Sequence, residues 1–254
     1  MFVWVALLLA SFVAAPVPAG GFTVALDPGH GGTNLGATGV VPGFYEKRIT
    51  LEIARRVQKR LARQKGITVA LCRDKDELMP IRARVRCANE AQADLFITLH
   101  TNASPEGPTH GTQIGFEQYV LPVDIADREA ALASAQATNP VEAVWEAQKV
   151  HLLVQASLDA AKRIELELAD ALGKDRDRGV KQLGASLDVL AGLQMPGILI
   201  EVGFIDHPEE GVEITTDEGQ ERIAAALAKA ISDLAARAKR ARTDPSITGR
   251  AKAQ

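Results

Sequence analysis

The chain has 254 residues, 46% hydrophobic and 24% charged, with a formal net charge of −3 at neutral pH. This ordinary globular composition suits one large α/β domain or two small ones, and it excludes collagen, coiled coil and a disordered body. With a near-neutral balance and only 4% aromatic residues, neither a basic nucleic-acid face nor a stacking platform is available, so no nucleic-acid partner is expected.

In chain order, the first 21 residues carry no charged side chain and hold an apolar run from Phe2 to Ala15. That run falls short of the roughly 20 residues a spanning helix needs. Val17 and Ala19 suit a cleavage site, so residues 1–19 read as a secretory signal peptide that leaves Gly20 first. The missing Lys or Arg near the start departs from that pattern, and an uncleaved membrane anchor is the other reading. Cleavage would place the body in the periplasm or outside the cell, with no integral membrane span.

Short apolar runs at Phe22–Leu26, Ile67–Cys72, Leu95–Leu99 and Gly197–Ile200 predict buried strands. Ile49, Ile53, Val57 and Leu61 recur every four residues and predict a helix from Glu46 to Gln64, ended by Gly66; a second is expected over Ile81–Ala91. Strand and helix therefore alternate. The expected fold is a single α/β domain over residues 20–236, a twisted, mostly parallel sheet flanked by helices on both faces. A further strand is expected within residues 112–121. Asn139-Pro140-Val141-Glu142 is a capping signature that opens a long helix to about Leu172, closed by Gly173, and Thr215-x-x-Glu218 opens the last one. Residues 237–254, with Arg237, Lys239, Arg240, Arg242, Arg250 and Lys252, read as a basic, disordered tail; attraction to anionic wall polymers or lipid headgroups is the sharper alternative. In an oxidising compartment Cys72 and Cys87 are free to bridge, the alternative being two small buried residues.

The chemistry begins where the first strand ends, at Asp27-Pro28-Gly29-His30-Gly31-Gly32. The glycines suggest a phosphate cradle, but no dinucleotide or P-loop spacing is present, and no Lys stands where a phosphate would want one. His30 instead emerges at the carboxyl edge of a strand, where open α/β sheets place their ligand crevice. The third strand delivers His100 to the same edge. Glu46, at the start of the following helix, supplies a third vertex, although an acid in a first helical turn is also favoured for its own sake. Two imidazoles and a carboxylate suit one Zn2+ per chain and leave a fourth position open, as a catalytic zinc site requires. Hydrolysis also needs a proton carrier. Glu201 follows the apolar run Pro196–Ile200 directly, so a buried strand would carry it to the crevice and raise its pKa.

The segments VALDPGHGG (residues 24–32), Glu46, ANEAQADLFITLHTNA (88–103), RGVKQ (178–182) and MPGILIEVGFIDHPEE (195–210) resemble, in order, those of the zinc-dependent N-acetylmuramoyl-L-alanine amidases of the cell-division and spore-lysis type. The resemblance spans roughly Phe22 to Leu234. It implies His30, Glu46 and His100 as zinc ligands, Glu201 as the catalytic carboxylate, peptidoglycan as the substrate, and hydrolysis of the amide between the lactyl group of N-acetylmuramic acid and L-alanine. A periplasmic protein activator is a further expectation. Asn34-Leu35 stands where family loops often read Asp-Pro, and Thr98 and Thr101 stand where Ser and Ala are common.

In some division-type members an insert after the second histidine blocks the zinc. Residues 123–150 occupy that place, and Glu129, Glu142 and Glu146 are the acids that would fill the open position; a passive helical elaboration is the other reading. Asn102 and His110 are expected to lie behind the ligands or to meet substrate. His151 and His207 read as structural. Arg73, Arg82, Arg84 and Arg86 read as a solvated helix face, or as partners for stem-peptide carboxylates. Two other functions share these residues: a non-catalytic zinc-containing wall-binding module, and another zinc hydrolase of peptidoglycan.

Overall fold

A computed structural model describes residues 21–182 and 187–243, so the signal-peptide reading of residues 1–19 lies outside the described residues. The chain runs β1 (Phe22–Pro28), α1 (Glu46–Leu61), β2 (Ile67–Leu71), α2 (Ile81–Glu90), β3 (Leu95–Asn102), β4 (Phe116–Tyr119), α3 (Val123–Ala135), α4 (Pro140–Leu172), β5 (Asp177–Lys181), β6 (Gly197–Phe204), α5 (Glu210–Glu213) and α6 (Asp217–Thr243). The six strands form one sheet in the order β2-β1-β3-β6-β4-β5.

The four apolar runs become β2, β1, β3 and β6, all parallel, and their carboxyl ends share one edge. Alternating side chains feed two cores. Val24, Leu26, Ile97, Leu99, Ile198 and Ile200 pack with α1, α4 and α6, while Ala25, Phe96 and Leu199 face Ala88 of α2 and Ala126 of α3. Helices thus cover both faces, as the alternating pattern predicts. α1 keeps the predicted apolar stripe, with Ile49, Ile53, Val57 and Leu61 fully buried.

β4 breaks the parallel rule. It runs antiparallel to β6, with Glu117 opposite Glu201 and Tyr119 opposite Leu199, so it returns the chain from the carboxyl edge to the opposite edge. The segment 123–150 therefore begins at the far edge of the sheet. α4 comes back from there: Ser157 Oγ accepts a 3.0 Å hydrogen bond from the amide of Gly197, the first residue of β6. The α4 residues before Ser157 make about 25 Å of helix, of which Val154 still packs with Phe96 and Leu199 of the sheet. β5, which brings Arg178 and Lys181 back beside β4, carries no apolar run, and hydrophobic patterning does not reveal it.

Of the end expected to be disordered from residue 237, residues 237–243 are instead helical: α6 continues to Thr243, and Arg242 donates to the Gly21 carbonyl at 2.8 Å and pairs with Asp94, while residues 244–254 lie outside the described residues. Cys72 and Cys87 are bridged, with Cα atoms 5.6 Å apart. Among the described residues, no helix is long and apolar enough to cross a membrane.

Candidate metal centre and catalytic carboxylate

Three elements converge at the carboxyl edge. β1 ends and delivers His30, β3 delivers His100, and α1 opens with Glu46, 3% exposed. One oxygen of Glu46 lies 3.0 Å from His30 Nε2 and 2.9 Å from His100 Nδ1. The same oxygen accepts the Thr101 amide at 3.1 Å, and the other accepts the Ala37 amide at 2.8 Å. Such close approach needs glycine. A Cβ on Gly29 would stand 2.5 Å from the His100 ring, and one on Gly36, at φ +69°, would stand 2.5 Å from Glu46 Oε2.

The chemistry of this donor set fits zinc. Two imidazole nitrogens and a carboxylate oxygen lie within 4.8 Å of one another, and the contacting pairs, at 3.0 and 2.9 Å, are close to the roughly 3.4 Å that separates two tetrahedral ligands held at about 2.1 Å by one ion. Burial works to raise the pKa of Glu46, but hydrogen bonds from His100 and His30 outweigh it and hold the carboxyl far below its usual range. Those bonds favour its carboxylate form. His30 Nδ1 sits 2.9 Å from Asn34 Oδ1, which also accepts the Gly36 amide. Asn34 thus holds the His30 ring, so this departure from the family loop pattern touches a candidate ligand as well as the loop.

Glu201 lies on β6 directly opposite His100. Its Oε2 is buried and has no hydrogen-bond partner. Burial pushes its pKa up to about 7; the nearby Glu46 and Glu117 carboxylates add to the rise and His100 opposes it. Beside it, Glu117 of β4 accepts from Asn102 Nδ2 at 2.7 Å, from Tyr119 OH at 2.5 Å and from Arg178 Nε at 2.8 Å, and it pairs with Lys181. Sequence reading missed Glu117. An acid inside a strand at a buried position was the available signal. Asn102 is therefore tied to Glu117, while its own Oδ1 accepts the Ala103 amide.

His110 lies 3.3 Å from the Ser104 carbonyl and 3.6 Å from Asp206 Oδ2. It lines a cavity of about 680 Å³ with Ala37, Thr38, Ala103, Ser104 and Asp206, next to the residues that hold Glu46. His207 accepts the Glu210 amide at 3.1 Å, and His151 pairs on the surface with Asp127. Arg82 and Arg86 are exposed as expected, but Arg73 and Arg84 are 1% and 4% exposed and grip the loop that carries His30.

The acids of the 123–150 segment are not brought to the cluster. Glu142 accepts from Thr138 and closes the α4 capping box, Glu146 lies 3.7 Å from Lys149, and Glu129 lines a groove with Val150, Leu153 and Leu193. The reversed direction of β4 is the reason, because it launches this segment from the edge opposite His30 and His100.

The family model described as N-acetylmuramoyl-L-alanine amidase matches residues 24–233. The chain belongs to that family. Its body is an amidase domain of the kind that acts on peptidoglycan. AmiA of Escherichia coli is 30% identical over 220 residues, which cover 82% of this chain and 74% of AmiA. The crystal structure of an amidase from Clostridium difficile 630 superposes with a TM-score of 0.65 at 26% identity, covering 84% of this chain and 96% of that one. The CwlD amidase from Clostridioides difficile, solved in complex with the GerS lipoprotein, shares the fold with a TM-score of 0.61 at 22% identity over 84% of this chain and 97% of that one. Relatives differ in length. The chain spans only 35% of a Bacillus anthracis cell wall amidase.

Proposed function

We propose that this amidase domain uses zinc to hydrolyse the amide between N-acetylmuramic acid and the L-alanine of the stem peptide. The observation that carries the reading is the convergence of His30, Glu46 and His100 opposite a buried carboxylate, Glu201, that lacks a partner. Held by those three residues, zinc would supply Lewis acidity toward the scissile carbonyl and the attacking water. Glu201, titrating at about 7, takes the proton from that water and returns it to the departing amine as the C–N bond breaks. The Arg178 and Lys181 cations on the far side of Glu117 hold that second carboxylate ionised beside the reacting edge. Asn102 and His110 flank the same edge, Asn102 through Glu117 and His110 through the cavity wall.

The same proposal places the protein in the periplasm or outside the cell, where peptidoglycan lies, for wall remodelling or daughter-cell separation. A protein activator belongs to it as well, supported by the GerS complex of the CwlD amidase. The test is mass spectrometry of products from purified peptidoglycan, with and without a zinc chelator. Intact stem peptides beginning at L-alanine, released only without chelator, are the expected result. Peptides cut elsewhere would make the protein a different wall hydrolase, and none at all in the zinc-loaded protein would sink the reading.

A further inference from the structure

His30 stands on backbone that two buried arginines hold in place. Its φ is +60°, a left-handed conformation that a non-glycine residue keeps only where its surroundings enforce it. Arg84 donates to the carbonyl of His30 at 2.6 Å and to that of Pro28 at 2.7 Å, and its Nη1 lies 2.6 Å from Asp27 Oδ1. Arg73 donates to Pro28 O at 2.9 Å, to Gly29 O at 2.8 Å and to Lys47 O at 2.7 Å, the last in the first turn of the Glu46 helix. Three successive carbonyls, at 28, 29 and 30, therefore end on guanidinium groups. Charge-assisted bonds of this kind, shielded from water, are the strong ones.

The disulfide sits on this pair. Cys72 immediately precedes Arg73 at the end of β2, and Cys87 lies on α2 one turn beyond Arg84. α2 is otherwise thinly anchored, since only Arg84, Val85 and Ala88 of its 10 residues are buried. The Cys72–Cys87 bond thus fixes the spacing of the two elements that carry the arginines.

We propose that the Cys72–Cys87 bridge, acting through Arg73 and Arg84, positions His30 and makes the affinity of the site for zinc depend on thiol redox state. The inference rests on the proposed zinc reading. Reduction breaks the S–S bond and leaves two thiols, the two electrons and two protons coming from a dithiol that itself closes to a disulfide. The bridge and the arginines are positioning groups and touch no substrate.

The test measures zinc affinity by competition with a chromogenic chelator, comparing the oxidised protein with protein reduced by a phosphine, which competes for zinc far less than a thiol does and is removed before the titration. Far-UV circular dichroism and thermal unfolding run in parallel. The expected result is at least a tenfold loss of affinity on reduction with the helix and sheet signals intact. The Cys72→Ser/Cys87→Ser protein should match it, and so should oxidised Arg84→Lys, which keeps the charge but loses the planar fork. A merely structural bridge would lower Tm and leave the affinity of the folded protein unchanged, and that result overturns the proposal. Loss of the whole fold on reduction overturns it too, by making the bridge a global staple. An oxidised protein that binds no zinc removes the zinc reading itself, and this inference with it.

Discussion

The buried environment of Glu201 sets two opposite pH effects. On the proposed mechanism Glu201 must be ionised to accept a proton, so Glu201→Gln should lower kcat by about 10³-fold, within the span of general acid–base effects, while the zinc content measured by atomic absorption should match that of the parent. In the metal-free protein the same carboxylate is a burden. Its folded pKa, about 7, lies above the ordinary value of 4.5, so its protonated form is stable in the fold and its stabilising contribution is lost as pH rises from 4.5 through 7. Chelator-treated Glu201→Gln should therefore equal the parent near pH 5 and exceed it at pH 8, by about 3 kcal/mol at most. Denaturant titrations at the two pH values check this. A variant no more stable than the parent at pH 8 would mean that the carboxylate is solvated.

Between elements, the direction of β4 decides what the 123–150 segment can do. A parallel β4 would have delivered that segment near His30 and His100, whereas the antiparallel strand delivers it to the other end of the sheet. The hairpin of α3 and α4 then grows away from the reacting edge, and its acids serve the helix: Glu142 accepts the Thr138 amide at 2.7 Å, and its own amide donates to Asn139 at 3.0 Å. The combined variant Glu129→Gln/Glu142→Gln/Glu146→Gln should leave the rate of peptidoglycan hydrolysis within twofold of the parent. A rate several-fold higher, in a dye-release assay, would show that these acids reach the site in solution.

For the whole molecule, the two ends of the described chain close on each other. Arg242 near the end of α6 meets the Gly21 carbonyl and Asp94, while the body of the helix buries Ile223, Leu227 and Ile231 against the sheet. Truncation after Ala236 removes the Arg242 contacts but spares that buried stripe. It should cost about 1 kcal/mol, since exposed ion pairs contribute little, and lower Tm by about 2–4 °C for a domain of this size. Scanning calorimetry checks it, and a fall of 10 °C or more would mean that the helix end does far more than this.

The parts legible in the sequence are those governed by local pattern. Apolar runs marked β1, β2, β3 and β6 because strands buried on both faces need them, and the four-residue recurrence from Ile49 to Leu61 marked α1 because one face of a helix must be apolar. His30, Glu46, His100 and Glu201 were legible because each closely follows an apolar run or opens a helix, and the carboxyl ends of such runs in an α/β sheet share an edge. The tertiary structure decided what depends on contacts between distant residues. β5 carries DRGVK with no apolar run and exists as a strand only because β4 lies beside it. Arg73 and Arg84 look like surface charges until the carbonyls of residues 28–30 are found against them, and Glu117 looks like one until Asn102, Arg178 and Lys181 surround it. The bridge between Cys72 and Cys87 and the reversal of β4 belong to the same class, because partner and direction are set by packing energies summed over the whole sheet and leave no local mark in the chain.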